Sequence, residues 1–164
     1  RRSAAACCPP EAGYRKDTKL AQRPDVLSFT GDRLPTDLYV VGSPPVVELS
    51  HSCDNPHNDL FVRISEVDAK GRSRNVSDGY IGAAPDSGTV RIELDAVAHR
   101  FRAGSRIRVL VAGGSHPRFA RNLGTGEPLG TGRRLVSATH SVHLGDGASR
   151  GVVLPAGPQP PSSK

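Results

Sequence analysis

Several places in this chain bring together side chains whose types could support chemistry. Gly113-Gly114-Ser115-His116-Pro117 sets a hydroxyl beside an imidazole, the pairing that nucleophilic mechanisms use. A nucleophile elbow needs Gly-x-Ser-x-Gly, because small residues must flank the strained strand-to-helix turn that exposes the serine. Here Pro117 stands where the second glycine belongs, and no helical period follows. Triad partners also meet through the fold and not by adjacency in sequence, so the run reads as a turn. His51, Cys53 and His57 fall within seven residues, and Asp54, Asn55 and Asp59 add oxygens. Zinc sites take four ligands in paired spacings, and this cluster has at most three soft ones. A calcium loop wants a dense Asp/Asn/Gly series closed by an acid, which is met only loosely. Polar residues crowding a connection between strands are the commoner meaning of Ser52-Cys53-Asp54-Asn55-Pro56, and no metal is assigned. His140 and His143 sit on opposite faces of a strand and cannot easily share an ion. Asn75-Val76-Ser77 fits a glycosylation sequon with nothing else pointing to secretion. Tyr80 and Phe119 are the aromatics placed to stack on a sugar, but with no Trp, three Tyr and four Phe the supply of platforms is thin.

Charge does not single out a partner. The net charge is +6, carried by 18 Arg and 4 Lys. A nucleic-acid binder gathers its cations into a stripe and interleaves aromatics for stacking. Here the arginines run from Arg1 to Arg150 with Glu48, Glu66, Glu93 and Asp95 among them. That is a compositional habit rather than a phosphate-binding device, and nucleic acid is excluded as a partner. No stretch reaches the roughly 20 apolar residues of a membrane span. Cys7 and Cys8 are adjacent and Cys53 stands alone, so no disulfide framework is implied and a reducing, cytoplasmic setting is expected. No cofactor is implied. The chain begins Arg1-Arg2 without Met, which reads as a fragment or processed product.

These candidates have to be held by elements, and the pattern is that of strands. Hydrophobic residues make up 36% of the chain, with 18 Gly and 14 Pro punctuating short apolar runs. Strands are expected at Asp25–Thr30, Leu38–Val41, Val46–His51, Asp59–Val67, Thr89–Asp95, Ile107–Ala112, Leu135–Leu144 and Gly151–Leu154. In Asp59–Val67, Leu60, Val62 and Ile64 alternate with Phe61, Arg63 and Ser65, a period of two that sends them to opposite faces. Lys70-Gly71 fits a hairpin turn. About eight or nine such strands, each with one apolar face, predict an all-β domain of two antiparallel sheets packed face to face. Residues 1–22 read as a flexible lead-in, 23–156 as the sandwich, and 157–164 as a disordered Pro/Ser-rich tail. The segment His99–Gly126 is unusual. An alternating strand is broken by Gly113-Gly114, then continues as Arg118-Phe119-Ala120-Arg121-Asn122, too polar for core and too specific for filler.

Taken in order, several runs resemble a known family. Arg23-Pro24-Asp25-Val26-Leu27-Ser28-Phe29-Thr30, Leu38-Tyr39-Val40-Val41-Gly42, Asn58-Asp59-Leu60-Phe61-Val62-Arg63-Ile64, Val67-Asp68-Ala69-Lys70-Gly71-Arg72, Val76-Ser77-Asp78-Gly79, His99–Arg108, Ser115–Asn122 and Val152-Val153-Leu154-Pro155 resemble the C-terminal domain of the CocE/NonD hydrolases. That group includes cocaine esterase, α-amino-acid ester hydrolases and X-Pro dipeptidyl-peptidases. The resemblance covers about residues 22 to 156. It implies a galactose-binding-like jelly roll packed on a separate α/β-hydrolase domain that owns the Ser-Asp-His triad. No catalytic residue is therefore carried over onto this chain. The link from Gly79 to Thr89 is shorter than in relatives. The resemblance implies an accessory domain of a serine hydrolase acting on ester or amide bonds, with an interdomain contact expected at Phe119, Arg121 and Asn122 and with self-association where that face is bare. The alternative is a free-standing sandwich that binds carbohydrate or protein.

Overall fold

The computed structural model describes residues 15–82, 84, 87–128, 130–143 and 151–157. A short 3-10 turn at Leu20–Gln22 precedes ten strands: β1 Val26–Arg33, β2 Leu38–Val40, β3 Val46–Cys53, β4 Asp59–Val67, β5 Ser73–Gly82, β6 Ser87–Glu93, β7 His99–Phe101, β8 Arg106–Ala112, β9 His140–Val142 and β10 Gly151–Val153. One sheet has the order β1-β8-β4-β5. The other has the order β10-β3-β6, with β9 also paired to β3 beyond β10. A two-stranded ribbon, β2-β7, accompanies them, and every one of these pairings is antiparallel. The domain is all-β, as its punctuation and alternation predict.

The core follows from that alternation. Leu60, Val62 and Ile64 of β4 and Val109 and Val111 of β8 meet Val47 and Leu49 of β3 and Val90 and Ile92 of β6 between the two sheets. Val40 and Phe101 bring the ribbon into the same cluster, at 1% and 0% exposure. Residues on the opposite face of β4 do not reach solvent. Phe61 joins Val26, Leu110 and Ala112 in a second apolar cluster, and Arg63, Ser65 and Asp59 beside it are buried too. β4 is thus covered on both sides, and its outer face carries buried charge.

The crossover between sheets is tight. β5 ends at Gly82 and β6 starts at Ser87. Gly79 of β5 bridges to Leu94 just past β6. A Cβ on Gly79 would lie 2.9 Å from both the Glu93 carbonyl oxygen and the Leu94 side chain, so glycine is what allows the two backbones this approach.

Some boundaries differ from the sequence pattern. The strand expected over 135–144 is confined to His140–Val142, because the N–H of Val136 donates instead to the carbonyl of Leu123 at 2.8 Å. β7 is a strand that the pattern did not single out. Of the lead-in expected over 1–22, residues 15–22 lie against the sheet. Asp17 is 4% exposed, its N–H donates to the carbonyl of Ser73, and its carboxylate accepts from the hydroxyls of Ser65 and Ser73. Residues 1–14 and 158–164 lie outside the described residues.

Candidate functional site

The polar run after β8 folds back over the outer face of the β1-β8-β4-β5 sheet. Phe119 is its anchor. Its ring stacks on Tyr80 of β5 with centroids 4.2 Å apart and planes 7° from parallel, and it tilts against Phe61 of β4 at 6.4 Å. Leu20 and Ala21 pack on the same cluster from the other segment that crosses this face. Offset and tilted aromatic contacts of this kind add about 1 kcal/mol each to what area burial supplies.

Two polar knots fix the loop at either side of Phe119. In the first, Asp59 at the start of β4 accepts the Tyr80 hydroxyl at 2.5 Å and the Asn122 side-chain amide at 2.8 Å. Burial, and next the hydrogen bond to Asp59, push the Tyr80 hydroxyl's pKa well above its ordinary value, so it stays a donor. Asn122 then accepts from the N–H of Gly124 at 2.9 Å, and the Gly124 carbonyl accepts from Asn55 at 3.0 Å. In the second knot, Arg63 grips Asp78 across the β4–β5 ladder with two bonds of 2.6 and 2.8 Å. Arg118 reaches in from the loop, pairs with both Asp78 and Asp95, and lies over the Phe119 ring at 5.3 Å. Burial works against the Arg118 charge, but Asp95 and Asp78 outweigh it and hold its pKa above the ordinary value. A carboxylate as buried as Asp78, at 3% exposure, is tolerable because two guanidiniums compensate it in good geometry.

A third contact closes the end of the sandwich where the loop begins. His51 of β3 and His140 of β9 are diagonal neighbours, with Nε2 and Nδ1 3.1 Å apart and rings stacked at 5.3 Å. Burial, and next the neighbouring His51, lower the pKa of His140. Gly113 packs against this imidazole so closely that a Cβ there would sit 2.9 Å from its Nε2. His143 turns the other way and meets the Ser52 hydroxyl at 2.8 Å.

The three residues expected at an interdomain contact therefore have distinct places. Phe119 and Asn122 are partly buried and engage the chain's own sheet, while Arg121 is exposed on the loop's outer rim with His116, Pro117 and Ala120. Ser115 is 2% exposed and His116 is exposed, so neighbours in sequence occupy different environments. His51, Cys53 and His57 disperse. His51 meets His140, Cys53 sits opposite His140 in the ladder, and His57 lies over Gly126. Asp54 instead accepts the N–H of Thr139, which holds its carboxyl below the usual range. Among the described residues, no group of three His, Cys, Asp or Glu is placed to hold a metal ion. Sequence reading did not bring out Asp59, Tyr80, Arg63, Asp78 and Arg118 as one network. The only available hint was charge on strand positions that alternation assigns to a solvent face. The arrangement orders a surface; its charged groups are spent on one another.

The chain matches, over residues 2–153, the family described as the X-Pro dipeptidyl-peptidase C-terminal non-catalytic domain. The match reaches into the amino-terminal segment, ahead of the region in which the sequence resemblance begins. An aminopeptidase from the marine sediment archaeon Thaumarchaeota archaeon is similar at 26% identity and a TM-score of 0.70, over 77% of this chain and 25% of that one. An alpha-amino acid ester hydrolase shares the fold at 22% identity and a TM-score of 0.75, over 86% of this chain and 27% of that one. A CocE/NonD family hydrolase from Staphylococcus aureus shares it at 16% identity and a TM-score of 0.60, over 88% of this chain and 33% of that one. The chain thus spans between a quarter and a third of the length of these proteins. No curated relative matches it.

Proposed function

Because the chain belongs to the X-Pro dipeptidyl-peptidase C-terminal non-catalytic domain family, we propose that it serves as the accessory β-sandwich of a serine hydrolase that cleaves ester or amide bonds. The observation that carries this reading is the family match across residues 2–153 of a chain that corresponds to only 25% to 33% of its structural neighbours. The bond-breaking residues belong to an α/β-hydrolase partner domain. The role of this chain is to present a stiff, shaped face to that domain.

The face we assign to this contact is the rim of the 115–122 loop. Phe119 and Asn122 fix the loop from beneath, and Arg121, exposed on top, makes the intermolecular or interdomain pair. Burial of the anchors removes the loop's conformational freedom before docking, which lowers the entropic cost of association. Left without its partner, the same face supports weak self-association.

The test has two arms. The coding sequence adjoining this chain is read for an α/β-hydrolase with Gly-x-Ser-x-Gly, and the isolated chain is assayed with p-nitrophenyl esters and X-Pro p-nitroanilides with and without a serine-directed inhibitor. We expect a hydrolase domain in the first arm and no inhibitor-sensitive turnover in the second. Inhibitor-sensitive turnover by the isolated chain overturns the reading, and so does the lack of any adjoining hydrolase.

A further inference from the structure

At the end of the sandwich away from the His51–His140 pair, the β4–β5 hairpin and the β7–β8 turn enclose a cleft of about 490 Å³. Four arginines line it, Arg72, Arg74, Arg100 and Arg102, against two carboxylates, Glu66 and Asp68. The balance of charge depends on which of these are already engaged. Glu66 accepts the backbone N–H of Arg102 at 2.9 Å and meets His99 Nε2 at 3.1 Å. Asp68 accepts the N–H groups of Lys70 and Arg72, both at 2.9 Å, and the Arg72 guanidinium at 2.6 Å. Arg100 is turned onto Asp37 and lies over the Tyr39 ring. Arg74 and Arg102 remain. Both are exposed, and neither guanidinium makes a hydrogen bond or ion pair among the described residues.

Arg72 offsets Asp68 and Arg100 offsets Asp37, so Arg74 and Arg102 leave the concavity positive even with Glu66, opposite Arg74 in the ladder, set against them. A planar fork of N–H donors matches phosphate and carboxylate oxygens in pairs. The backbone donors of the β7–β8 turn are not available to help, since the N–H groups of Ala103, Gly104 and Ser105 go to Asp37, Leu34 and Arg102. Recognition there falls to side chains. We propose that this cleft binds a small polyanion whose phosphate or carboxylate oxygens are held by Arg74 and Arg102. The site is independent of the loop rim assigned to domain contact, and its failure leaves that assignment untouched.

Isothermal titration of the whole chain with inorganic pyrophosphate, and separately with citrate, tests this at an ionic strength matched with sodium chloride. We expect saturable one-to-one binding of at least one probe. Saturation by pyrophosphate alone identifies a phosphate ligand, by citrate alone a carboxylate ligand, and by both a general oxyanion site. R74Q/R102Q should weaken binding by about tenfold or more, as loss of charge-assisted bonds requires. The charge-matched control R133Q/R134Q, on exposed arginines outside the cleft, should leave it within about twofold. If the double variant does not fold, R102Q alone carries the comparison. Absence of saturation with both probes overturns the proposal, as does equal weakening by R133Q/R134Q.

Discussion

The ring of Phe119 lies flat on that of Tyr80, 4.2 Å between centroids, so a residue in a polar loop and a residue in a strand form one hydrophobic unit. The Tyr80 hydroxyl is held at the same time by Asp59. Truncation by Phe119→Ala removes the anchor while leaving β4 and β5 paired. Chemical denaturation should show a loss of about 2 kcal/mol, typical of a partly buried aromatic that has one stacking partner. Phe119→Leu, which keeps most of the apolar area, should recover about half of that loss.

The Arg63–Asp78 pair predicts an asymmetry. Arg63→Ala leaves a carboxylate at 3% exposure with half its compensation, and should cost about 3–5 kcal/mol. Replacing both partners at once, as Arg63→Met with Asp78→Leu, removes the buried pair, leaves the more exposed Arg118 with Asp95, and should cost less than the single change. A double replacement that costs the sum of the two singles contradicts the account of how this face is stabilised.

Acid should loosen the end of the sandwich held by His51 and His140. His140 titrates below its unfolded value of 6.5 because burial disfavours its cation. The unfolded chain therefore binds the proton first, and the stability from neutral His140 is present above that value and lost as pH falls through the folded pKa. The thermal midpoint should decline as pH falls below 6.5, and His140→Gln should flatten that decline.

Two glycines in similar left-handed conformations separate strain from collision. Gly71 has φ of +78° and open space around a would-be Cβ, whereas Gly124 has φ of +71° with the Val136 carbonyl and the Asn55 amide in the way. Gly71→Ala should cost about 1 kcal/mol of left-handed strain. Gly124→Ala should cost at least about twice that, because the Asn55–Gly124–Asn122 chain of hydrogen bonds has to shift as well. Urea midpoints of the two variants decide the matter.

At the loop rim, Arg121→Glu should change stability by no more than about 0.5 kcal/mol, as expected for an exposed residue. If the rim meets the catalytic domain, the same change should weaken that association measurably by calorimetry. An unchanged affinity places the contact elsewhere.

Much of this architecture could be read from the order of residues. Alternation in Asp59–Val67 and Arg106–Ala112 assigned the inner core positions, because period-two patterning survives wherever one face is dry. The same alternation misjudges the outer face. Arg63, Asp59 and Ser65 look like solvent-facing residues, yet they are buried, since what covers them comes from residues 15–22 and 115–124. β5 was legible only as a hairpin continuation, because Asn75, Ser77, Asp78 and Gly79 carry no strand preference and are placed there by β4. The meeting of His51 with His140, 89 positions away, had no local signal. Looking for ligands close in sequence pointed to Cys53 and His57 instead.

The short amino-terminal segment also decides how the domain would bear mechanical force. Asp17 is clasped by a serine from the interior strand β4 and another from β5, and Thr18 adds a further bond to Ser73. A pull transmitted through the residues ahead of Arg15 meets the pairing of Arg15 and Lys16 with Asn75 and Arg74 of β5 first, and this clasp immediately behind it. The bonds to Ser73 load the edge strand β5, and the bond to Ser65 carries part of the tension past that edge to the interior strand β4. Peeling this segment away therefore requires the bond to β4 to break together with those to β5.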